Sequence, residues 1–219
     1  MTPSAQFWRD PNLPYVESRR ACDSRANYRA HSHPTVSIGA VDRGVSLFSG
    51  GAEGPTLIQA GSVVFVPAHC AHACNPQPDT AWSYQMLHLE PRWVEGVRLE
   101  AQQQAALAPG QVLLSHDGDL YQRFCRLNDL LFSTASWQDK EAALIEFIGD
   151  FPLQGQPVIA LAADPGLAGA GVRRVMQFLQ QEAQQAHPLQ RLATLAGLSR
   201  YQLIRAFRAA TGMTPHAYQ

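Results

Sequence analysis

At 219 residues, 46% hydrophobic and 16% charged, the chain is long enough to bury a substantial core. It suits one domain of about 150 residues with a smaller one attached. Seventeen Lys+Arg against eighteen Asp+Glu give a net charge of −1, a balance that argues against a nucleic-acid partner for the chain as a whole. No run of about 18 apolar residues is present, and Met1 to Arg20 is interrupted by Pro3, Pro11 and Pro14, which excludes a membrane span and a secretory signal. Four cysteines, Cys22, Cys70, Cys74 and Cys125, lack a C-x-x-C spacing and fit the reducing cytoplasm as buried thiols.

From the amino terminus the residues first read as strands. Val36 to Val41, Val45 to Phe48, Thr56 to Gln59, Ser62 to Val66 and Trp82 to Leu89 are short β-rich runs. Asp42-Arg43-Gly44, Ser49-Gly50-Gly51 and Ala60-Gly61 supply turns between them, and such spacing favours a sandwich or barrel. On the last run Trp82, Tyr84, Met86 and His88 alternate with Ser83, Gln85, Leu87 and Leu89, so one face is aromatic with polar tips. Such a wall can hold a small molecule by stacking and a few hydrogen bonds. Periodicity leaves open which face points inward. Trp82 and Met86 suit core packing, and Tyr84 and Gln85 suit polar contact with a ligand.

Helical spacing follows. Leu120 to Phe132 carries Tyr121, Phe124, Leu127, Leu130 and Leu131 at intervals of three and four, and Asp139 to Phe151 carries Ala142, Leu144, Ile145, Phe147 and Ile148. Pro152 to Gly171, with three prolines and four glycines, reads as a linker. A helix resumes over Val172 to Gln185 with Val175, Phe178 and Leu179 inward. Leu189, Leu192, Ala193, Leu195 and Ala196 then form an apolar stripe ending at Gly197, which can take the left-handed conformation of a sharp turn. Ser199 caps a second helix, with Leu203, Ala206 and Phe207 inward and Arg200, Gln202, Arg205 and Arg208 able to point outward. This is a helix-turn-helix, whose second helix enters the DNA major groove.

Charge divides the chain in the same place. From Gly171 onward six arginines face one acid, Glu182, for a net +5, which leaves −6 for the remainder. A basic module that meets polyphosphate is joined to an acidic domain with another task.

LATLAGLS, the L-x-R-x-F of Leu203, Arg205 and Phe207, and TGMTPHAY at Thr211 to Tyr218 resemble the first helix-turn-helix of the AraC-type transcription regulators. The resemblance implies double-stranded DNA as partner. Ser199, Arg200, Tyr201, Gln202, Arg205 and Arg208 are the candidate DNA contacts, with Arg205 at a base edge and Arg200 and Arg208 on phosphates. A family member carries a second helix-turn-helix after a joining helix, and this sequence stops where that helix begins, so weak DNA binding is expected.

Upstream, His31-Ser32-His33, Gly44, Gly61, Pro67, His72 and Asn75 look like the two cupin motifs, and Tyr28 to Leu89 resembles the jelly-roll effector domain of the same family. In metal-binding cupins two such histidines, a third from the opposite hairpin and a carboxylate converge inside the barrel. Ser37 stands here where the pattern places that carboxylate, and Asp42 lies too far along the strand to replace it. His31, His33, His72, Tyr84 and Gln85 are therefore read as effector-binding residues. No metal is favoured; a divalent transition metal, if bound, takes His31, His33 and His72.

The expected architecture is α+β: a cupin-like β-barrel with a helical pair over residues 1–151, a linker over 152–171 and a partial helix-turn-helix domain over 172–219. The expected function is a cytoplasmic, non-enzymatic transcription regulator, activator or repressor, that responds to a small molecule. The family resemblance also implies a homodimer through the pair at 120–151, the alternative being a lid on the barrel. Rival readings are a metal-dependent cupin enzyme and a metabolite-binding module with a non-functional reading head.

Overall fold

The computed structural model describes residues 3–50, 54–101, 111–151, 165–182 and 185–218. Strands come first: β1 (Ser4–Trp8), β2 (Val16–Ser24), β3 (Val36–Arg43), β4 (Val45–Ser49), β5 (Thr56–Gln59), β6 (Val63–Val66), β7 (Ala73–Pro76) and β8 (Trp82–Leu89). After α1 (Pro91–Glu100) and β9 (Leu113–Ser115) come α2 (Gly118–Leu131), α3 (Trp137–Gly149), α4 (Pro165–Gln181), α5 (Leu189–Ala196), α6 (Arg200–Thr211) and α7 (Pro215–Tyr218). The five strands read from the sequence are β3, β4, β5, β6 and β8. The others were not legible from alternation, and α4 starts earlier than Val172. Residues 152–164 of the expected linker lie outside the described residues.

Two compact units divide the chain: Met1–Val94 with Ala106–Ser133, and Glu95–Ala105 with Thr134–Gln219. The first is a cupin-like sandwich. Its larger sheet has the order β1-β2-β8-β3-β6-β9 and its smaller one the order β5-β4-β7. Side chains from both sheets, Ala21, Val41, Val64, Val66, Trp82 and Tyr84 on one and Phe48 and Ile58 on the other, close the core between them. Burying each large apolar side chain stabilises the fold by roughly 1.5–3 kcal/mol.

On its opposite face the larger sheet carries α2. Ser18 Oγ bonds Asn128 Oδ1 at 3.0 Å, Arg20 pairs with Asp129 at 2.5 Å, and Tyr121 Oη donates to Asp42 Oδ1 at 2.9 Å. These bonds fix which side chains of β2 and β8 face outward, since neighbours along a strand alternate. Arg19, Tyr84, Met86 and His88 are left to face the interior.

The second unit is helical. Ser136 caps α3 and Ser199 caps α6, the latter in a reciprocal capping box with Gln202. Gly197 ends α5 at φ 70°, so the tight turn between α5 and α6 has the backbone it requires. Leu189, Leu192, Ala193 and Ala196 are buried as their spacing implies, and Leu195 is exposed. Arg174 of α4 donates from Nε to the Leu195 carbonyl at 3.2 Å and from Nη2 to the Ala196 carbonyl at 2.9 Å. Two carbonyls that α5 leaves without helical partners are thereby satisfied.

Candidate functional site

The histidine cluster is built by backbone pairing. His31 and His72 form an isolated antiparallel bridge, with N–H to O distances of 2.9 and 2.8 Å, and the His69 N–H bonds the His33 carbonyl at 2.7 Å. This clamp sets the His31 ring 4.8 Å from His33 and 4.9 Å from His72, centroid to centroid. One ligating atom from each of the three lies within 4.8 Å of the others, so among the described residues His31, His33 and His72 form a group that could hold a metal ion. His31 Nδ1 bonds the Arg29 carbonyl at 2.8 Å and His72 Nδ1 bonds the Cys70 carbonyl at 2.9 Å. Because a carbonyl only accepts, each Nδ1 carries the hydrogen and each Nε2 keeps a lone pair.

His88 completes the group from β8. Its ring lies 5.0 Å from that of His33, and its Nδ1 is 3.1 Å from Ser37 Oγ on the neighbouring strand. Burial pushes His88 down to about 4, with His33 adding to the shift. Burial also holds His72 and His33 below the ordinary histidine value; for His33 the neighbouring His72 and His31 add to it. Close imidazoles in a partly dry setting resist protonation.

These side chains open on a cavity of about 140 Å³, lined also by Arg19, Tyr28, Cys74, Trp82, Tyr84 and Met86. A narrower extension of about 20 Å³ runs between the sheets past Ser37, Phe48 and Ile58. Tyr84 lines both. Gln85 borders only the narrow extension, and its amide donates to Asp42 Oδ1 at 2.8 Å and to Cys125 Sγ at 3.5 Å. Asp42, whose side chain takes bonds from Gln85 and Tyr121, is on the α2 side as well.

The second site is α6. Its inward stripe, Leu203 and Phe207, is buried as expected, yet Tyr201 and Ile204 are buried too, at 3% and 0% exposure. The cause is α3. Tyr201 Oη donates to Asp150 Oδ1 at 2.6 Å, and its ring packs where a Cβ on Gly149 would stand. Each arginine of the expected reading face meets a carboxylate. Arg200 binds Glu100 Oε1 through Nε at 2.9 Å and Nη2 at 2.6 Å, with Glu141 at 3.8 Å; Arg205 meets Asp150 at 3.1 Å and Arg208 meets Glu146 at 3.2 Å. The sequence allowed these arginines to point outward, but spacing on α6 says nothing of Glu100 at the end of α1 or of the acids on and just after α3. Burial raises the Glu146 carboxyl despite Arg208, and burial followed by the bond to Asp150 raises the Tyr201 phenol.

Two family models match the chain. Residues 13–147 match the AraC-like ligand binding domain, and residues 179–219 match the bacterial regulatory helix-turn-helix proteins of the AraC family. The chain belongs to the AraC family of transcription regulators. A curated relative, the uncharacterized HTH-type transcriptional regulator YbfI of Bacillus subtilis, is 22% identical over 211 residues, covering 95% of this chain and 75% of the relative. Among solved structures, ToxT from Vibrio cholerae aligns over 100% of this chain and 98% of its own at 9% identity and a TM-score of 0.47. A cupin-like protein from Thermotoga maritima aligns over 40% of this chain and 68% of its own at 20% identity and a TM-score of 0.36.

For an AraC-family chain the division of labour is plain: a cupin-like effector domain and a DNA-binding helix-turn-helix. Among the described residues no helix is long and apolar enough to cross a membrane. Reading the sequence as strands and helices missed Arg19 on the pocket wall, because β2 carries charges on both faces and breaks the alternation that marks a strand, and missed Tyr28, which lies in the irregular segment after β2. Glu100, Glu141, Glu146 and Asp150 left no signal, since a carboxylate on one helix does not announce the arginine it will meet.

Proposed function

We propose that this regulator binds a small effector in the barrel cavity and that the described arrangement is its DNA-silent state. The observation that carries the second part is the pairing of Arg200, Arg205 and Arg208 with Glu100, Asp150 and Glu146, together with the burial of Tyr201 against Gly149. Phosphate contacts supply most of the affinity of a DNA-binding helix, and an arginine held by a carboxylate must exchange that partner before it can make one. On release, Arg205 reaches a base edge, Arg200 and Arg208 hold phosphates, and Ser199, Tyr201 and Gln202 flank the contact. The barrel acts by binding rather than turnover, since Ser37 stands where metal-dependent cupins carry a carboxylate. The chain acts in the cytoplasm, where its DNA is, and a homodimer through residues 120–151 is proposed on the family resemblance alone.

The test is fluorescence anisotropy with operator and random duplexes, comparing wild type with the triple variant Glu100→Gln, Glu146→Gln, Asp150→Asn. Removing the three nearest of the four competing carboxylates is expected to tighten DNA binding about tenfold or more at low salt. Equal affinity in the two proteins refutes the silent state, and failure of both to bind any duplex refutes the assignment of α6 as the reading helix. In the triple background Arg205→Ala is expected to cost about 1 to 3 kcal/mol and relax sequence preference, whereas Arg208→Ala weakens all sequences alike.

A further inference from the structure

The walls of the barrel cavity differ in what they offer a ligand. Among the described residues Arg19 is the one lining side chain that bears a permanent charge, and none of the lining residues is an aspartate or glutamate. Glu17, the carboxylate acting on Arg19, is itself paired with Arg9 at 2.6 Å. The Arg19 guanidinium is fixed between the rings of Phe7 and Tyr84, 5.5 Å from each centroid, with Nη2 3.4 Å from Tyr28 Oη. Its Nε is a buried donor with no acceptor among the described residues, and so is Nε1 of Trp82, another lining residue. Two buried donors short of acceptors and a cation short of a counter-charge call for the same thing, a negatively charged oxygen acceptor.

The histidine wall of the cavity has the opposite character. His31 and His72 each commit the Nδ1 hydrogen to a backbone carbonyl, so the Nε2 atoms are acceptors. A ligand spanning the cavity therefore presents acceptor oxygens to Arg19 and a hydrogen-bond donor to the histidines. Size limits it further. A cavity of about 140 Å³ is comparable to the roughly 150 Å³ void that holds benzene in an engineered protein core. A guanidinium presents a planar fork that a carboxylate matches with two parallel bonds, and a single arginine balances one negative charge rather than two.

We propose that the effector is a small hydroxylated monocarboxylate about the size of a single aromatic ring, its carboxylate on Arg19 and its hydroxyl at His31 and His72. This rests on the reading of the barrel as the effector pocket. The body of the ligand packs on Trp82, Tyr84 and Met86, and the carboxylate completes the set of buried donors.

Calorimetry and thermal shift on the full chain in EDTA test the assignment, with 4-hydroxybenzoate, benzoate, 4-hydroxybenzyl alcohol and phenyl phosphate as probes. The hydroxy acid is expected to bind most tightly and to raise the melting temperature. The neutral alcohol should bind at least about tenfold more weakly, the loss expected when a charge-assisted pair is removed. Arg19→Gln should abolish the preference for acid over alcohol and Arg19→Lys should retain part of it, with unliganded melting curves reporting whether each variant is folded. If Arg19→Gln does not fold, Tyr28→Phe replaces it and should weaken the acid more than the alcohol. Equal binding of acid and alcohol overturns the anion assignment while leaving the effector pocket standing. Binding of none of the four probes overturns both. Acid binding that requires added zinc and survives Arg19→Gln places the anion on a histidine-held metal and overturns the role of Arg19.

Discussion

His88 stands beside Ser37, the position where the cupin pattern puts a carboxylate, and exchanges a possible negative charge for a neutral ring bonded to a hydroxyl. Its environment opposes protonation, chiefly through burial, and holds it at about 4 against an ordinary value near 6.5. A histidine lowered in the folded state is neutral there while the unfolded chain takes up a proton, so folding stability rises with pH across that interval. The contribution is fully present above about pH 6.5 and declines as the pH falls toward about 4. Urea unfolding followed at pH 7.5, 6.5 and 5.5 should therefore show wild type losing stability over this range, and His88→Gln losing less. Parallel losses in the two proteins would show that His88 is not a source of the slope. Arg19 makes the complementary point at the same scale: its position on β2 was hidden by neighbouring charges, yet the alternation fixed by Ser18 and Arg20 on the α2 face leaves it nowhere to point but inward.

At the level of elements, α6 is the best specified piece of the chain. Its capping box, the left-handed Gly212 that ends it, and its Leu203–Phe207 stripe all follow from local rules that a sequence displays. Ser199 adds a bond that those rules do not contain, donating from Oγ to the Glu100 carbonyl at 3.0 Å while accepting from the Gln202 N–H at 3.1 Å. Ser199→Ala should consequently cost about 1 to 2 kcal/mol, toward the upper end for an N-cap, measured as a shift in the unfolding of the helical unit. A loss of only a few tenths would mean that the Glu100 contact contributes nothing. The element α1 was legible in retrospect: Pro91 sits at its first position, and Glu90 caps it by accepting from the Arg92 and Trp93 N–H groups at 3.1 and 2.7 Å. The strands read correctly are those with β-branched runs between glycine turns, and β2 and β7 escaped because their residues are small, polar or charged. The three histidines were legible as a group because motif order encodes their convergence. Arg19, Tyr28 and the acids facing α6 were not, because partners far apart in sequence become neighbours only through the fold.

For the whole molecule the question is how a ligand in one unit and DNA on another affect each other, and thermodynamics constrains the answer without reference to a route. If α6 exists in a silent form paired with Glu100, Asp150 and Glu146 and in a released form that binds DNA, the effector shifts the balance only by its differential affinity for the two. The coupling is then reciprocal: whatever factor the effector gives to DNA affinity, DNA must give to effector affinity. The triple carboxylate variant, already biased to the released form, should show a smaller factor in both directions. Its DNA affinity should also start higher and depend more steeply on salt, since more arginines are available to displace counterions, each phosphate neutralised adding about 0.9 to the slope. The decisive measurement is a four-sided cycle in one buffer: effector affinity with and without operator, DNA affinity with and without effector, for wild type and variant. Two wild-type factors that agree and shrink together in the variant support α6 release as the coupled step. A wild-type factor that survives unchanged in the variant would mean that the effector acts on DNA binding through some other change, and that the carboxylate pairs on α6 are structural.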